Sequence, residues 1–250
     1  MAFEQVPDWK HLKLSRSGGV TEVLLHTGGG PLIWQASAER ELIELFAWLA
    51  LDRQTSVLIL AGTGDVFCAN IEATEFRKMS WRDIWSGGRR LLCGLLDLDI
   101  IVIAAVNGPA LVHSEIAVMA DIVLACPEAE FADRAHFPRN VVPGDGVQLV
   151  WSDRLGPSRA AYFLLTGNSI DANEALRLGF VHELHAREQL LSRAHELAAA
   201  ITEKAPAVIA YTRAALRSRE RRGFREDLSY GLAIEGLGQH AIGVRGPEQN

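Results

Sequence analysis

Runs of apolar residues separated by polar segments predict alternating strands and helices in the first half of the chain. Four runs rich in β-branched residues predict strands at residues 20–25, 56–60, 100–106 and 121–125. Several of these runs are apolar at successive positions, which is typical of a sheet covered on both faces. Between the first two, apolar residues at helical spacing predict a helix over residues 37–51, with Ser37 as its N-cap. This order favours an α/β fold with right-handed crossovers.

The pattern changes after residue 146, where helical spacing dominates and only one short strand is predicted, at residues 180–183. The predicted helices cover residues 147–154, 158–166, 173–178, 188–203, 206–218 and 225–237. Amphipathic helices of this kind bury their apolar faces on the core or on a neighbouring subunit. We therefore expect a helical C-terminal region that packs on one of these two surfaces.

Composition limits the classes of function. The 250 residues are 48% hydrophobic and 22% charged, which suits one globular domain with a helical appendage. A net charge of −6 argues against sequence-independent binding of nucleic acid, which needs clustered cations. The one dense basic stretch, residues 213–225, is interpreted as a helix surface that faces solvent or another subunit.

The three cysteines and the N-terminus bear on the compartment. Cys68, Cys93 and Cys126 are odd in number and lack metal-ligand spacing, so we expect neither a disulfide framework nor a zinc site. Residues 1–8 have no signal-peptide pattern, and no apolar run approaches the ~20 residues that span a bilayer. A cytoplasmic protein without a membrane partner is the expectation.

Two segments concentrate titratable side chains where a predicted strand leads toward a helix. Residues 107–115 carry His113 and Glu115, and residues 131–146 carry His136 and Asp145. Such junctions hold side chains rigidly beside helix N-termini, and buried titratable groups there need a partner or a task. The chain is therefore predicted to be an enzyme.

Four motifs connect the chain to a known family. They are Ile103-Ala104-Ala105-Val106-Asn107-Gly108, Pro143-Gly144-Asp145-Gly146, Tyr162-Phe163-Leu164-Leu165-Thr166-Gly167 and Leu178-Gly179-Phe180-Val181. With them the chain resembles the crotonase (enoyl-CoA hydratase/isomerase) superfamily. The resemblance implies a crotonase-like ββα spiral core over residues 1–190 and a C-terminal helical trimerisation region over residues 191–250. It also implies a homotrimer or a hexamer built as a dimer of trimers.

The resemblance further implies an oxyanion hole made by the backbone N–H groups of Ile71 and Val112. This family usually has glycines around the second donor, whereas this chain has Leu111-Val112-His113 there. The first loop reads Asn70-Ile71-Glu72 in place of the usual Gly-Ala-Asp. Bulk on both loops argues against the close approach of a CoA thioester, although a backbone N–H survives any substitution except proline.

These departures resemble one branch of the superfamily, the cyclic β-diketone hydrolases of the 6-oxocamphor hydrolase type. The matching residues are Trp34, His113, His136, Asp145 and Glu235. The resemblance implies hydrolysis of a C–C bond in a cyclic 1,3-diketone, a retro-Claisen reaction that gives a keto acid without a metal or organic cofactor. We expect the substrate to contact Ile71, Val112, Glu115 and Phe137.

The chemistry assigns a role to each of the five residues. His136, with a pKa near its ordinary value, would deprotonate the attacking water, and Asp145 would fix its tautomer. The indole N–H of Trp34 and the ring of His113 would hold the distal oxygen as an enolate forms. Glu235, kept protonated by burial, would return a proton to carbon.

Each residue also has a structural alternative. Asp145 is a natural helix N-cap, and His136 is compatible with a loop histidine bonded to backbone. His113 is compatible with the start of a helix that Glu115 favours, Trp34 suits a core position, and Glu235 is compatible with a solvent-facing position. Two other functions stay open: a CoA-thioester enzyme that uses Glu115, and a non-catalytic binding protein.

Overall fold

The chain folds around one mixed β-sheet in a computed structural model that describes residues 8–243. The strands are β1 Leu12–Ser17, β2 Val20–Leu25, β3 Ile33–Trp34, β4 Val57–Gly62, β5 Asn70–Ile71, β6 Ile101–Val106, β7 Ile122–Ala125, β8 Glu130–Phe131, β9 Ile170–Asp171 and β10 Glu183–Leu184. Six of them form the sheet in the order β1-β2-β4-β6-β7-β10, in which only the β1–β2 pair is antiparallel. Two small pairs, parallel β3–β5 and antiparallel β8–β9, lie outside this sheet.

Helices cover the sheet and build the second half of the chain. They are α1 Ala36–Leu51, α2 Thr74–Lys78, α3 Trp81–Leu96, α4 Glu115–Val118, α5 Val147–Leu155, α6 Pro157–Thr166, α7 Ala172–Leu178, α8 Arg187–Thr202, α9 Pro206–Leu216 and α10 Ser218–Ala241. A single 3-10 turn spans Phe137–Arg139. The predicted α/β class and the four predicted strands are confirmed.

Several local predictions need correction. Helix α1 begins at Ala36 with Gln35 as its N-cap and no capping side chain, because the Ser37 hydroxyl is instead 3.0 Å from Nε2 of His11. The short strand expected at residues 180–183 forms at Glu183–Leu184, and α10 begins at Ser218 rather than at residue 225. Strand β1 was not predicted, because charged and hydroxyl side chains alternate with its two leucines.

Helix α3 was also missed, although a local signal marks its start. Ser80 is its N-cap, and the Ser80 hydroxyl accepts a hydrogen bond from the backbone N–H of Asp83. The helix buries Leu91, Leu92 and Leu95 against the core. Its glycine-containing middle and polar first turns hid the helical period from the sequence pattern.

The sheet is buried on both faces, as its apolar strands predicted. One face packs in the main core with α1 and α3, and the other face is covered by α8, whose Leu190, Ala194 and Ala198 belong to the same hydrophobic cluster as Val57 and Ile59. Residue 190, the predicted limit of the core region, therefore lies inside a helix that belongs to the core. Helix α10 packs on the same chain through α3 and α5.

The basic stretch at residues 213–225 does not simply face solvent, so that part of the interpretation is wrong. Arg213 is completely buried and Arg217 is 9% exposed. Both guanidinium groups pair with Asp121, with N···O distances of 2.6 and 2.7 Å. Because Asp121 lies about ninety residues earlier in the chain, the local charge pattern could not reveal this partner.

Within residues 8–243, no helix combines the length and the apolar character that a bilayer crossing requires. The N-terminal segment behind the cytoplasmic expectation lies outside the described residues, apart from Asp8. The three cysteines are free thiols, with Cys68 and Cys126 buried and Cys93 half-buried.

Candidate active site

A cavity of about 260 Å³ opens between α1, α2, α3 and α10 and the loops that follow β6 and β8. This volume is just below the usual range for ligand pockets, about 300–1,000 Å³, and suits a small ligand. Seven of the predicted site residues line it: Trp34, Ile71, His113, Glu115, His136, Asp145 and Glu235. Glu235 reaches it from α10, more than 120 residues away from His113 along the chain. The fold therefore gathers the distant motifs at one place.

The imidazole of His136 lies between two carboxylates. Its Nδ1 is 2.8 Å from Oδ1 of Asp133, and its Nε2 is 3.2 Å from Oδ2 of Asp145. Burial by itself would lower the pKa of His136, but the charges and hydrogen bonds of Asp145 and Asp133 outweigh it and raise the pKa well above 6.5. At rest the ring is thus an imidazolium that donates to both acids.

This geometry corrects two points of the sequence-based mechanism. The carboxylate that holds Nδ1 is Asp133, whereas Asp145 faces Nε2, the nitrogen that would meet a water molecule. The pKa of His136 is also far from its ordinary value. Asp133 was missed, although its position three residues before His136 in the same loop is a local signal.

Asp145 connects the two histidines. Its Oδ2 is 3.2 Å from Nε2 of His136 and 3.7 Å from Nδ1 of His113. Burial would raise the pKa of Asp145, but His136 and His113 lower it below its ordinary range. Its Oδ1 accepts a hydrogen bond from the N–H of Val147, so it also supports the start of α5, whose N-cap is Gly146.

A glycine brings this loop against helix α10. A Cβ at Gly144 would lie 2.2 Å from the carbonyl oxygen of Gly231 and 2.9 Å from Cβ of Glu235. No larger residue fits between loop and helix at that separation. The Pro-Gly-Asp-Gly motif therefore places Asp145 close to the acid of α10.

His113 is held in an uncommon backbone conformation. Its φ of 48° is in the left-handed region, which non-glycine residues adopt mainly where surrounding contacts require it. Its Nδ1 is 2.7 Å from Oε1 of Glu115, and its ring lies on Trp34 with the centroids 4.1 Å apart. Burial would lower the pKa of His113, but Glu115 and Asp145 raise it to about 8. A cationic ring on an indole face is therefore the state at neutral pH.

Glu115 and Trp34 complete this side of the cavity. Glu115 is 1% exposed, and its carboxylate is engaged with His113. Trp34 is equally buried, and its Nε1 has no hydrogen-bond partner among the described residues. A buried N–H without an acceptor costs about 1–3 kcal/mol, so an acceptor supplied by a ligand would be stabilising.

Glu235 provides a further acid in the cavity, close to His136 and Asp145. It is 7% exposed, and its Oε2 has no partner among residues 8–243. Burial, and then the nearby Asp145, raise the pKa of Glu235 to about 8. Its carboxyl is therefore neutral at pH 7 and carries a transferable proton.

Three expected substrate contacts have different outcomes. Ile71 lines the cavity and pairs with Trp34 in the β3–β5 ladder. Val112 does not line it, because its backbone N–H points to the carbonyl oxygen of Cys68 at 3.2 Å. Phe137 is 49% exposed and lies outside the cavity, since the 3-10 turn carries its ring outward. Val112 and Phe137 therefore do not line the cavity, and their contact with a substrate stays a prediction.

Two overlapping groups of side chains have the composition of a metal site. They are His113, Glu115 and Asp145, and His136, Asp145 and Glu235, with candidate ligand atoms within 4.8 Å of one another in each group. A histidine must be neutral to ligate a metal, whereas the pKa values of both histidines are raised. These side chains are therefore better suited to hydrogen bonding than to binding a metal ion.

Comparison with known proteins adds the family. The enoyl-CoA hydratase/isomerase family model matches residues 34–231. The carnitinyl-CoA dehydratase of Proteus mirabilis (strain HI4320) is 32% identical over 203 residues, which cover 80% of this chain and 77% of that protein.

Two solved structures are similar in fold. A β-diketone hydrolase from Anabaena sp. PCC 7120, bound to (S)-3-oxocyclohexyl acetic acid, superposes with a TM-score of 0.91 and 35% identity, covering 94% of this chain and 96% of that one. An enoyl-CoA hydratase/isomerase from Mycobacterium paratuberculosis gives a TM-score of 0.85 at 24% identity, covering 92% and 93%. The second similarity bears on the fold alone.

Proposed function

Because the chain belongs to the enoyl-CoA hydratase/isomerase family, the crotonase superfamily, we propose that it is a cofactor-independent β-diketone hydrolase. Its reaction would be the retro-Claisen hydrolysis of a cyclic 1,3-diketone to a keto acid. The observation that carries the proposal is the meeting of His136, Asp145, Glu235 and the His113–Trp34 pair around one small cavity. Similarity to the Anabaena β-diketone hydrolase over 94% of the chain supports it.

The Asp133–His136–Asp145 unit is suited to activate water. Once the imidazolium of His136 has lost the proton on Nε2, that nitrogen can take a proton from a water that adds to one carbonyl. Asp133 keeps Nδ1 protonated and stabilises the positive charge that returns to the ring. Because the pKa of His136 is raised, the fraction of active base increases as the pH rises toward that raised pKa.

The side chains of His113 and Trp34 are suited to stabilise the electrons that bond cleavage releases. When the tetrahedral adduct collapses, the C–C bond breaks and its electron pair forms an enolate whose oxygen needs donors. The cationic ring of His113 and the unpartnered N–H of Trp34 are available for that oxygen. Glu235 then gives its proton to the enolate carbon, and the His136 imidazolium restores the proton of Glu235.

A CoA-thioester reaction is the second candidate, and two observations favour it. Relatives at 32% identity are carnitinyl-CoA dehydratases, and Glu115 lines the cavity. Against it, the Glu115 carboxylate is engaged with His113 at 2.7 Å. The Val112 N–H, expected as the second oxyanion donor, is engaged with Cys68. These contacts make the diketone reaction the better supported of the two.

A substrate panel tests the proposal. Cyclic 1,3-diketones of several ring sizes are incubated with the purified protein in the presence of a chelator, and loss of dione and gain of keto acid are followed. Crotonyl-CoA and carnitinyl-CoA are run in parallel, and the His136→Ala variant controls for contaminating activity. We expect turnover of at least one diketone by the wild type only. Turnover of a CoA thioester with no diketone consumed would overturn the proposal.

We also propose that the chain assembles as a homotrimer or a dimer of trimers. Large apolar side chains remain exposed on α9 and α10, among them Val208, Tyr211, Leu216, Tyr230 and Leu237. Exposed apolar faces on neighbouring helices are typical of subunit interfaces. Light scattering should give about three or six times the chain mass of 27.4 kDa. A mass equal to one chain at micromolar concentration would refute the assembly.

A further inference from the structure

Glu39 is a carboxyl group of the cavity that the mechanism above does not use. It lies in the first turn of α1, five residues after Trp34, and its backbone N–H donates to the carbonyl oxygen of Gln35 at 3.0 Å. Glutamate is common in a first turn, where an ionised side chain interacts favourably with the helix dipole. Such a residue normally extends into solvent. The side chain of Glu39 instead lines the cavity beside His113 and Trp34.

A glycine in the facing helix makes room for this carboxyl group. A Cβ at Gly87 of α3 would lie 2.4 Å from Oε1 of Glu39 and 3.6 Å from its Cδ. The carboxyl therefore packs directly on the backbone of α3, where any larger residue would displace it. Glycine in a helix interior costs about 1 kcal/mol relative to alanine, so this position needs a compensating reason. The contact with Glu39 is such a reason.

The electrostatics favour a neutral carboxyl group. Burial raises the pKa of Glu39 to about 7, with His113 opposing and Asp145 reinforcing the shift. Glu39 is half-buried and lies close enough to His113 and Asp145 for their charges to shift its pKa. Glu39 thus holds a transferable proton near neutral pH at the cavity wall.

We propose that Glu39 is a second catalytic acid, which protonates the distal oxygen of the substrate as the C–C bond breaks. This inference rests on the proposed function and extends it. The electron pair of the broken bond becomes the C=C bond of an enol, and the O–H proton of Glu39 moves to the enol oxygen. Glu39 is left as a carboxylate beside the cationic His113. When Glu235 protonates the carbon, the enol O–H returns its proton to Glu39, and the ketone forms.

Because Glu39 and Glu235 would act at different steps, replacing each of them should have a different measurable effect. Glu39 acts at bond cleavage, whereas Glu235 acts at carbon protonation. In D₂O, Glu39→Gln should slow single-turnover loss of diketone by roughly 10²-fold, within the range for general acids, with KM changed much less than kcat. The deuterium should enter the same face of the carbon as in the wild type. Glu235→Gln should instead reduce the facial selectivity of deuterium incorporation.

Two further variants separate the proton of Glu39 from its bulk. Gly87→Ala keeps Glu39 but forces its carboxyl away, and alanine favours the helix, so turnover should fall in a stably folded protein. Combining Gly87→Ala with Glu39→Gln should cost no more than Glu39→Gln alone, because residues that act as a unit are non-additive. Glu75→Gln, at an exposed first-turn glutamate of α2 outside the cavity, is the matched control and should behave as wild type.

The outcomes are separable from those of the proposed function. If the wild type hydrolyses no diketone, the proposed function fails and the inference with it. If the wild type hydrolyses a diketone but folded Glu39→Gln cleaves it at the wild-type rate, the inference alone is overturned. Slow cleavage by Glu39→Gln and Gly87→Ala, with unchanged facial selectivity, supports it.

Discussion

Two regions of this protein bury several charged side chains, and they treat them in opposite ways. One is the arginine cluster, formed by Arg154, Arg213, Arg217, Asp121 and Glu220 where α5, α9 and α10 approach the sheet. The other is the cavity cluster, formed by the acids and histidines around His136. The first region leaves no buried polar side-chain atom without a partner among residues 8–243, whereas the second leaves several.

The arginine cluster satisfies its donors with both carboxylates and backbone. Arg213 donates to Asp121, to the carbonyl oxygens of Leu95 and Leu96 at the end of helix α3, and to that of Leu98 just beyond it. Arg217 connects Asp121, Glu220 and the carbonyl oxygen of Met119. Because the positive and negative groups compensate one another and the backbone acceptors are filled, this cluster is suited to hold elements together.

In the cavity cluster, by contrast, the hydrogen bonding of the buried side chains is incomplete. Oε2 of Glu235, Nε1 of Trp34 and Oδ2 of Asp133 lack partners among the described residues, and the pKa values of His113 and Glu235 are both raised to about 8. Buried groups of this kind destabilise the fold unless a ligand completes them. Buried charged side chains by themselves therefore do not indicate a functional site. Buried polar atoms that lack hydrogen-bond partners beside a cavity do indicate one.

The largest effect should come from the centre of the cavity cluster. His136→Ala and Asp145→Asn should each lower kcat for a diketone by roughly 10⁴, as for members of a catalytic unit. The double variant should be little worse than the worse single one. Turnover and thermal unfolding are measured on the same samples, and the fold should persist. Normal turnover in folded His136→Ala would return His136 to the role of a loop histidine.

The arginine cluster should show the reverse behaviour. Arg213→Met removes one of the two arginine partners of Asp121 and one donor to each of three carbonyl groups, so the free energy of unfolding should fall by about 3–5 kcal/mol. Urea unfolding measures this change, and kcat of the folded fraction should not alter. Arg222→Met, at an exposed arginine of α10, is the control and should shift stability by about 0.5 kcal/mol or less. If Arg213→Met lowered kcat by more than the loss of folded protein explains, the arginine cluster would affect catalysis, which would contradict its contrast with the cavity cluster.

A smaller loss is expected at His113. His113→Ala removes the cation beside Trp34 and should lower the rate by roughly 10²–10³, as oxyanion donors do elsewhere. Alanine is strained at a φ of 48°, so His113→Asn serves as a second variant, because asparagine tolerates the left-handed region and can still donate to Glu115. Both variants should be slow. A fast His113→Asn would show that the positive charge is dispensable.

The smallest rate effect, about 10²-fold, is expected at Glu235, together with a changed pH profile. The wild-type rate should rise with pH as His136 loses its proton, and it should fall as Glu39, His113 and Glu235 lose theirs between about pH 7 and pH 8. Glu235→Gln should make the falling limb less steep without abolishing it, because Glu39 and His113 still titrate. An unchanged falling limb in the variant would contradict the role of Glu235 as an acid.

The same variant tests the cost of burying Glu235. The folded state keeps the Glu235 proton up to about pH 8, whereas the unfolded chain loses it near 4.5, so wild-type stability falls with pH across this window. Glu235→Gln lacks this term and should therefore gain stability relative to the wild type between pH 5 and pH 8. Urea unfolding at the two pH values measures the difference. An equal stability difference at both would contradict the burial argument.

The sequence predicted what motifs and periodicity encode. The main strands and most C-terminal helices follow from apolar spacing, and Trp34, His113, His136, Asp145 and Glu235 do meet at one cavity. These residues could be chosen because each lies in a motif with a recognisable context. Their meeting itself depends on the chain path, which only the family resemblance supplied.

Partners and orientations could not be predicted because they depend on tertiary contacts. Two carboxylates compete for the ring of His136, and the loop geometry decides which of them meets Nδ1. Likewise, the direction of the Val112 N–H depends on the neighbouring Cys68 loop. Arg213 looked solvent-exposed because its acidic partner is distant in sequence. Glu39 carried only a first-turn signal, and its packing against α3 depends on the glycine in that helix.

Isotope tracing of the hydrolysis tests the central claim most directly. The protein is incubated with the best diketone of the panel in H₂¹⁸O, without CoA and with a chelator, and the product is analysed by mass spectrometry. Retro-Claisen hydrolysis by the cavity cluster predicts one ¹⁸O in the new carboxyl group after correction for ketone exchange, formed by the wild type and not by His136→Ala. A keto acid that forms equally with His136→Ala, or no keto acid alongside CoA-thioester turnover, would contradict the account.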